Sequence, residues 1–174
     1  MDRYAHWAFP PRSALRNARE ALTAISASVA DRLALTAVLA DDEGEPGALS
    51  AMTAAECHEQ LAAGMLGRLA YIARADTPDI VPVNYVMDGV DILIRSGPGP
   101  KLQAAERGAR VAFEVDAVDS ATRTGRSVVV IGRATRLRPA EQRQHEDGPA
   151  PWASGPRDAV IRIRPTRVTG RRLS

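Results

Sequence analysis

Six runs of alternating apolar and polar residues stand close together between Gly67 and Arg164, and most linkers between them are too short to hold a crossover helix. That spacing constrains the fold more than any other feature of the chain. A parallel strand pair needs a connection of a dozen or more residues, usually helical, which counts against a doubly wound sheet. Antiparallel strands joined by turns, with few helices among them, instead close into a barrel. The runs are Gly67–Arg74, Ile80–Met87, Val90–Arg95, Arg110–Val118, Ser127–Leu137 and Asp158–Arg164. The expected fold is therefore mainly β with flanking helices, a six-stranded antiparallel barrel followed by an arginine-rich tail.

Alternation also predicts faces. Leu69 and Tyr71 share one side of the first run, and Val81, Val83, Tyr85 and Met87 one side of the second. Val111, Phe113, Val115 and Ala117 point inward from the fourth, and Val129, Ile131 and Leu137 alternate against Arg133 on the fifth. Pro82 has no N–H to give a ladder, so its strand lies at an edge or is bulged there, where a flat ligand can bond exposed backbone. Asp88-Gly89 reads as a two-residue hairpin turn with both residues at positive φ. Thr53-Ala54-Ala55-Glu56 is a capping box opening a helix, which Gly64 is expected to close in the left-handed conformation. A short helix is expected from near Pro100 to Gly108.

Composition sets the bounds. The chain has 174 residues, 45% apolar and 25% charged, as a soluble globular domain has. Its pI near 9.1 looks basic, yet the net charge is only +2 because acids lie among the arginines. Nucleic acid is not an expected partner. Cys57 stands alone, which excludes an intrachain disulfide and fits a reducing cytoplasm. Asp31 and Arg32 interrupt the best apolar stretch, so no membrane span is expected. His6, His58 and His145 lack ligand spacing, so no metal site is expected, and no Ser-His-Asp set is visible.

Residues 1–50 read as an extension: an alanine-rich helical stretch from Ser13 to Ala40, then the linker DDEGEPG. A targeting or partner-binding helix and a loosely docked extension both fit, and Met52 is also placed where a start could fall. Residues 51–174 form the expected barrel domain.

The stretch Asp79–Lys101 ends in GPGPK, and Lys101 is the only lysine in the chain. A point charge at a helix start, behind a Gly/Pro loop, is a candidate anion site. The loop lacks the spacing and the following Ser/Thr of a nucleoside triphosphate loop, and no GxGxxG follows the first strand. A cofactor phosphate is the expected anion.

Several pieces then carry a resemblance: GRLAY at 67–71, VPVNYVMDG at 81–89, ILIRSGPGPKL at 92–102, VAFEVD at 111–116, SVVVIGRA at 127–134, PW at 151–152 and a closing VTGRR. In order and spacing, Thr53 to Leu173 resembles the pyridoxamine 5′-phosphate oxidase-like family of flavin-binding split barrels, in its small bacterial branch. The resemblance implies a homodimeric split barrel with FMN in the grooves between subunits. It implies that the flavin ring lies along Val83, Asn84 and Tyr85. Ser96 and Lys101 would hold the phosphate with Arg95 close by, while Ser127 and Trp152 are further contacts. Arg126 stands where the family has an aromatic, which favours a more acidic ligand such as a deazaflavin. Arg171 and Arg172 fit either a reach to the partner's site or a solvated tail. The implied activity is a flavin-dependent oxidoreductase acting on a small-molecule substrate. No catalytic side chain is singled out, because the cofactor itself carries the hydride. The alternatives are a deazaflavin-dependent reductase, a nitroimidazole-type reductase, and a flavin or haem binder without turnover.

Overall fold

The computed structural model describes residues 47–73, 76–145 and 155–174. The extension up to residue 46, Arg74 and Trp152 lie outside the described residues. Strand β1 (Leu49–Ala51) precedes helix α1 (Ala54–Ala63), then β2 (Leu66–Ile72), β3 (Pro78–Asp88) and β4 (Asp91–Ser96). Helix α2 (Pro100–Glu106) leads into β5 (Arg110–Asp119) and β6 (Thr124–Arg136). A short α3 (Pro139–Gln142), a 3-10 turn at Arg143–His145 and β7 (Ala159–Leu173) complete the described fold. No helix among the described residues is long and apolar enough to cross a membrane.

All strand pairs are antiparallel, in the order β1-β7-β4-β3-β2-β5-β6, and β6 also pairs with β7. That last pairing closes the six expected strands into a barrel, with β1 appended to the end of β7. Leu69, Val83, Tyr85, Ile92, Ile94, Phe113, Val115, Val128, Val130, Ile161 and Ile163 fill its interior. Helix α1 caps it through Cys57 and Leu61, and α2 through Leu102, Ala104 and Ala105.

Four local expectations are corrected. The hairpin turn is Gly89-Val90, since Asp88 pairs with Asp91, and only Gly89 takes positive φ, at 60°. A glycine at the first central position is what a II′ turn asks for, whereas the Asp-Gly reading assumed a I′ turn. Gly64 is extended rather than left-handed. Its need for glycine is one of space, because a Cβ there would overlap the Tyr85 hydroxyl. On β6 the core-facing residues are Val128 and Val130, while Val129 and Ile131 are half-buried on the other side. Apolar residues run through both parities of that strand, so alternation alone assigned its faces wrongly.

The fourth correction concerns the tail, which is strand to Leu173. Its outer half pairs with β6 and β1, an arrangement that inward alternation barely announces. The β6–β7 register shifts by a residue between Ile131 and Gly132, placing Pro165 opposite Gly132. Proline is tolerated at such a bulge. The Thr166 hydroxyl donates to the Ile131 carbonyl at 3.0 Å. A Cβ on Gly132 would come within 2.6 Å of the Arg164 carbonyl oxygen.

Helix α1 is held at both ends. The Thr53 hydroxyl and Glu56 carboxylate form the expected capping box, and Arg172 of β7 also pairs with Glu56. At the other end the Tyr85 hydroxyl donates to the Leu61 carbonyl at 2.6 Å, and its ring meets Phe113 edge-on at 4.9 Å. Burial pushes the Tyr85 phenol up to about 12. The Thr53 amide, then Arg172 and the Thr53 hydroxyl hold the Glu56 carboxyl at about 2, below its ordinary 4.5.

A depressed carboxyl contributes stability that is complete above its unfolded value and is lost as pH falls through the folded one. Glu56 should therefore steepen acid unfolding between pH 4.5 and about 2. In urea titrations across that window, Glu56→Gln is expected to flatten the slope, and an unchanged slope would rule the linkage out. Tyr85→Phe should cost about 1 kcal/mol, the net worth of one hydrogen bond, with the ring packing kept. Gly132→Ala should cost more, because the atom it meets is backbone and cannot swing aside. Equal unfolding midpoints for native protein and Gly132→Ala would contradict the close approach.

Candidate functional site

Strands β3 and β4 pair only near their turn. The ladder runs from Asp88↔Asp91 to Tyr85↔Ile94 and stops. Continuing that register would set Asn84 against Arg95 and Val83 against Ser96, yet no ladder joins them. Beyond this point β3 pairs only with β2, from Leu66↔Asn84 to Ile72↔Pro78. Strand β4 meanwhile holds β7, through Arg95↔Val160 and Ser96↔Ala159. The barrel is split here, and one edge of β3 from Pro78 to Asn84 carries no strand among the described residues. Pro82 sits on that edge, as its missing N–H predicts. A free edge offers unpaired backbone donors and acceptors to whatever lies against it.

Side chains along this edge differ in what they have to offer. Val83 and Tyr85 point into the core. Asn84 is half-buried and donates from Nδ2 to the Met65 carbonyl at 3.3 Å. The strand therefore presents mainly its backbone at Val83 and Asn84, whereas Tyr85 pairs with Ile94 and gives its amide to the Met65 carbonyl at 3.2 Å. Arg95 is half-buried, and its guanidinium reaches the His145 carbonyl at 3.4 Å. Ser96 is fully buried and donates to the Gly97 carbonyl at 2.8 Å, so its hydroxyl must turn to serve a ligand.

The loop after β4 carries the charge. Gly97 approaches the Pro156 carbonyl so closely that a Cβ would sit 2.8 Å from it. The segment entering β7 thus lies against the Gly/Pro loop, which brings Arg157 beside Lys101. Both cations are half-buried. Burial, and then the neighbouring Arg157, push the Lys101 ammonium below its ordinary value. Lys101 pairs with no carboxylate among the described residues. Helix α2 is only seven residues long, and Pro98 and Pro100 supply no N–H, so attraction for an anion rests on these side-chain charges. Sequence reading passed over Arg157 as one arginine among many. Its position becomes informative only once Ser96 is known to pair with Ala159.

Ser127 lies elsewhere. It pairs with Asp116 on one side and Arg171 on the other, next to Arg126, which stands opposite Arg172. A shallow groove of about 590 Å³ opens there, lined by Gln60, Val118, Asp119, Arg126, Arg172 and Leu173 among others. It shares no lining residue with the Lys101 group. One chain therefore gathers Val83, Asn84, Tyr85, Arg95, Ser96 and Lys101 around the split, and keeps Ser127 on a different stretch of the barrel.

A model of the pyridoxamine 5′-phosphate oxidase family matches residues 53–172. The chain is 36% identical over 113 residues to the uncharacterized protein Rv0080 of Mycobacterium tuberculosis, covering 62% of this chain and 74% of that one. Among solved structures, an FAD-binding protein from Mesorhizobium loti matches with a TM-score of 0.60 at 28% identity, covering 74% of this chain and 98% of its own. The FAD-binding protein from Mycobacterium smegmatis matches with a TM-score of 0.56 at 30% identity, over 73% and 100% of the two chains. With the split barrel, the parted β3–β4 hairpin and these matches together, the chain belongs to the pyridoxamine 5′-phosphate oxidase family.

Proposed function

We propose that the protein binds a phosphorylated flavin at the split and serves as a flavin-dependent oxidoreductase for a small-molecule substrate. One observation carries the reading: Lys101, half-buried and with no acid partner among the described residues, opens α2 directly after the loop that leaves β4, the strand that parts from β3 beyond Ile94. A flavin mononucleotide needs a cationic pocket for its phosphate and hydrogen-bonding edges for its flat ring, and these features fit both. The FAD-binding relatives support the same cofactor class.

Within this reading the protein supplies binding and orientation, while bound flavin supplies hydride and electron transfer. Lys101 holds the phosphate as a point charge. Backbone groups at Val83 and Asn84 align the polar rim of the ring, and the buried Val83 and Tyr85 side chains keep that strand rigid. Arg95 braces the loop from β4 by bonding to the His145 carbonyl.

A second copy of the chain completes the arrangement. Ile80 is 67% exposed and Ile72 47%, and the β2–β3 register sets Ala70 against Ile80 and Ile72 against Pro78 on that outward face. An exposed apolar face of this kind fits burial in a homodimer. A dimer would also give Ser127 and Arg126 of one chain a route to the split of the other.

The purified protein should be yellow and should release FMN or FAD on denaturation, with chromatography naming which. Lys101→Ala should weaken flavin binding tenfold or more, since a hydrogen bond to a charged group is worth about 1.5–3 kcal/mol. Sedimentation at micromolar concentration should give a dimer, and a monomer would remove the shared site. Arg126 and Arg172 line the separate groove and favour one other reading, a deazaflavin with an anionic tail. A colourless protein that ignores added FMN and FAD but binds the deazaflavin would decide for that reading.

A further inference from the structure

We propose that Arg157 is the second cation of the flavin-phosphate site, and that its charge makes the site select phosphorylated flavins over riboflavin. This inference rests on the flavin reading above. Three structural facts converge on it. Ser96 pairs with Ala159, which fixes the start of β7 beside the end of β4. Gly97 then packs against the Pro156 carbonyl with no room for a side chain, so the loop before α2 and the segment before β7 lie against each other. Arg157 follows Pro156, and Lys101 stands in the first turn of α2 directly after the facing loop, so each segment contributes one half-buried cation to the same neighbourhood.

Two like charges partly removed from water repel one another, and the Lys101 ammonium is pushed below its ordinary value by its burial first and by the neighbouring Arg157 second. Lys101 has no acid among the described residues to relieve it. A phosphate dianion between the two turns the repulsion into a pair of charge-assisted contacts. The guanidinium fits this task through its planar, two-pronged donors, which grip phosphate oxygens in a way an ammonium cannot. The neutral ring of riboflavin gains nothing from either cation, so the second charge acts on selectivity.

The test measures binding to the apoprotein by flavin fluorescence quenching, with FMN and riboflavin as separate probes. Arg157→Gln should weaken FMN by about tenfold or more and leave riboflavin within about twofold. Arg157→Lys should recover most of the FMN affinity, and the salt dependence of FMN binding should be shallower in Arg157→Gln than in the native protein. Circular dichroism of each variant checks that the barrel is kept, and the lysine variant holds the comparison if the glutamine variant does not fold. If Lys101→Ala loses FMN affinity while Arg157→Gln keeps it, the inference fails and the flavin reading stands. Equal weakening of FMN and riboflavin by Arg157→Gln would make its role structural and also overturn the inference. If the native protein binds neither probe, the flavin reading fails and the inference falls with it.

Discussion

The pairing of β6 with β7 is the interaction on which the rest of this fold depends. It runs from Gly125↔Leu173 to Arg136↔Ile161, the longest ladder in the described structure, and it turns an open sheet into a barrel. Closure removes two sheet edges at once, which is how antiparallel folds avoid pairing with strangers. So long a ladder must bend, and the bulge beside Pro165 and Gly132 supplies the bend. The Thr166 hydroxyl bonds the Ile131 carbonyl at that point, so the break in register leaves this acceptor paired.

The split follows from the same closure. Strand β7 takes β6 on one side and β4 on the other, so β4 is drawn toward β7 as far as Ser96. Strand β3 is drawn instead to β2, and the two halves of the hairpin part after Tyr85 and Ile94. A backbone edge is thereby left open inside a fold that otherwise has few. Pulling Ser96 onto β7 also brings the Gly/Pro loop against the residues before Ala159. The candidate site thus depends on non-local pairing more than on any motif within it.

Charge is distributed with the same selectivity. Arg68 reaches Glu114 and Asp116, Arg162 and Arg164 share Asp91, and Arg172 holds Glu56. The net charge is only +2 because acidic residues nearly match the basic ones in number, and these pairs bring several of the two together. Most are exposed enough that each contributes little alone. Lys101 departs from the pattern, being half-buried and next to another cation. Arg110, Arg133 and Arg164 also stand opposite one another across three strands, but exposed to water, where screening softens the repulsion.

Read alone, the sequence determined the fold class, because short turns between alternating runs leave antiparallel closure as the economical solution. It also determined the capping box at Thr53 and the edge position of Pro82. Those features are local, written in neighbouring residues. Tertiary structure decided what neighbours cannot encode. The faces of β6 depend on which strands flank it, since valine and isoleucine occupy both parities. The extension of β7 to Leu173 depends on β6 being long enough to hold an arginine-rich strand with little inward alternation. Arg157 gains meaning only from a register set more than fifty residues away in sequence, between Ser96 and Ala159. Pairing over that distance is a property of the closed barrel, and a linear reading has no access to it.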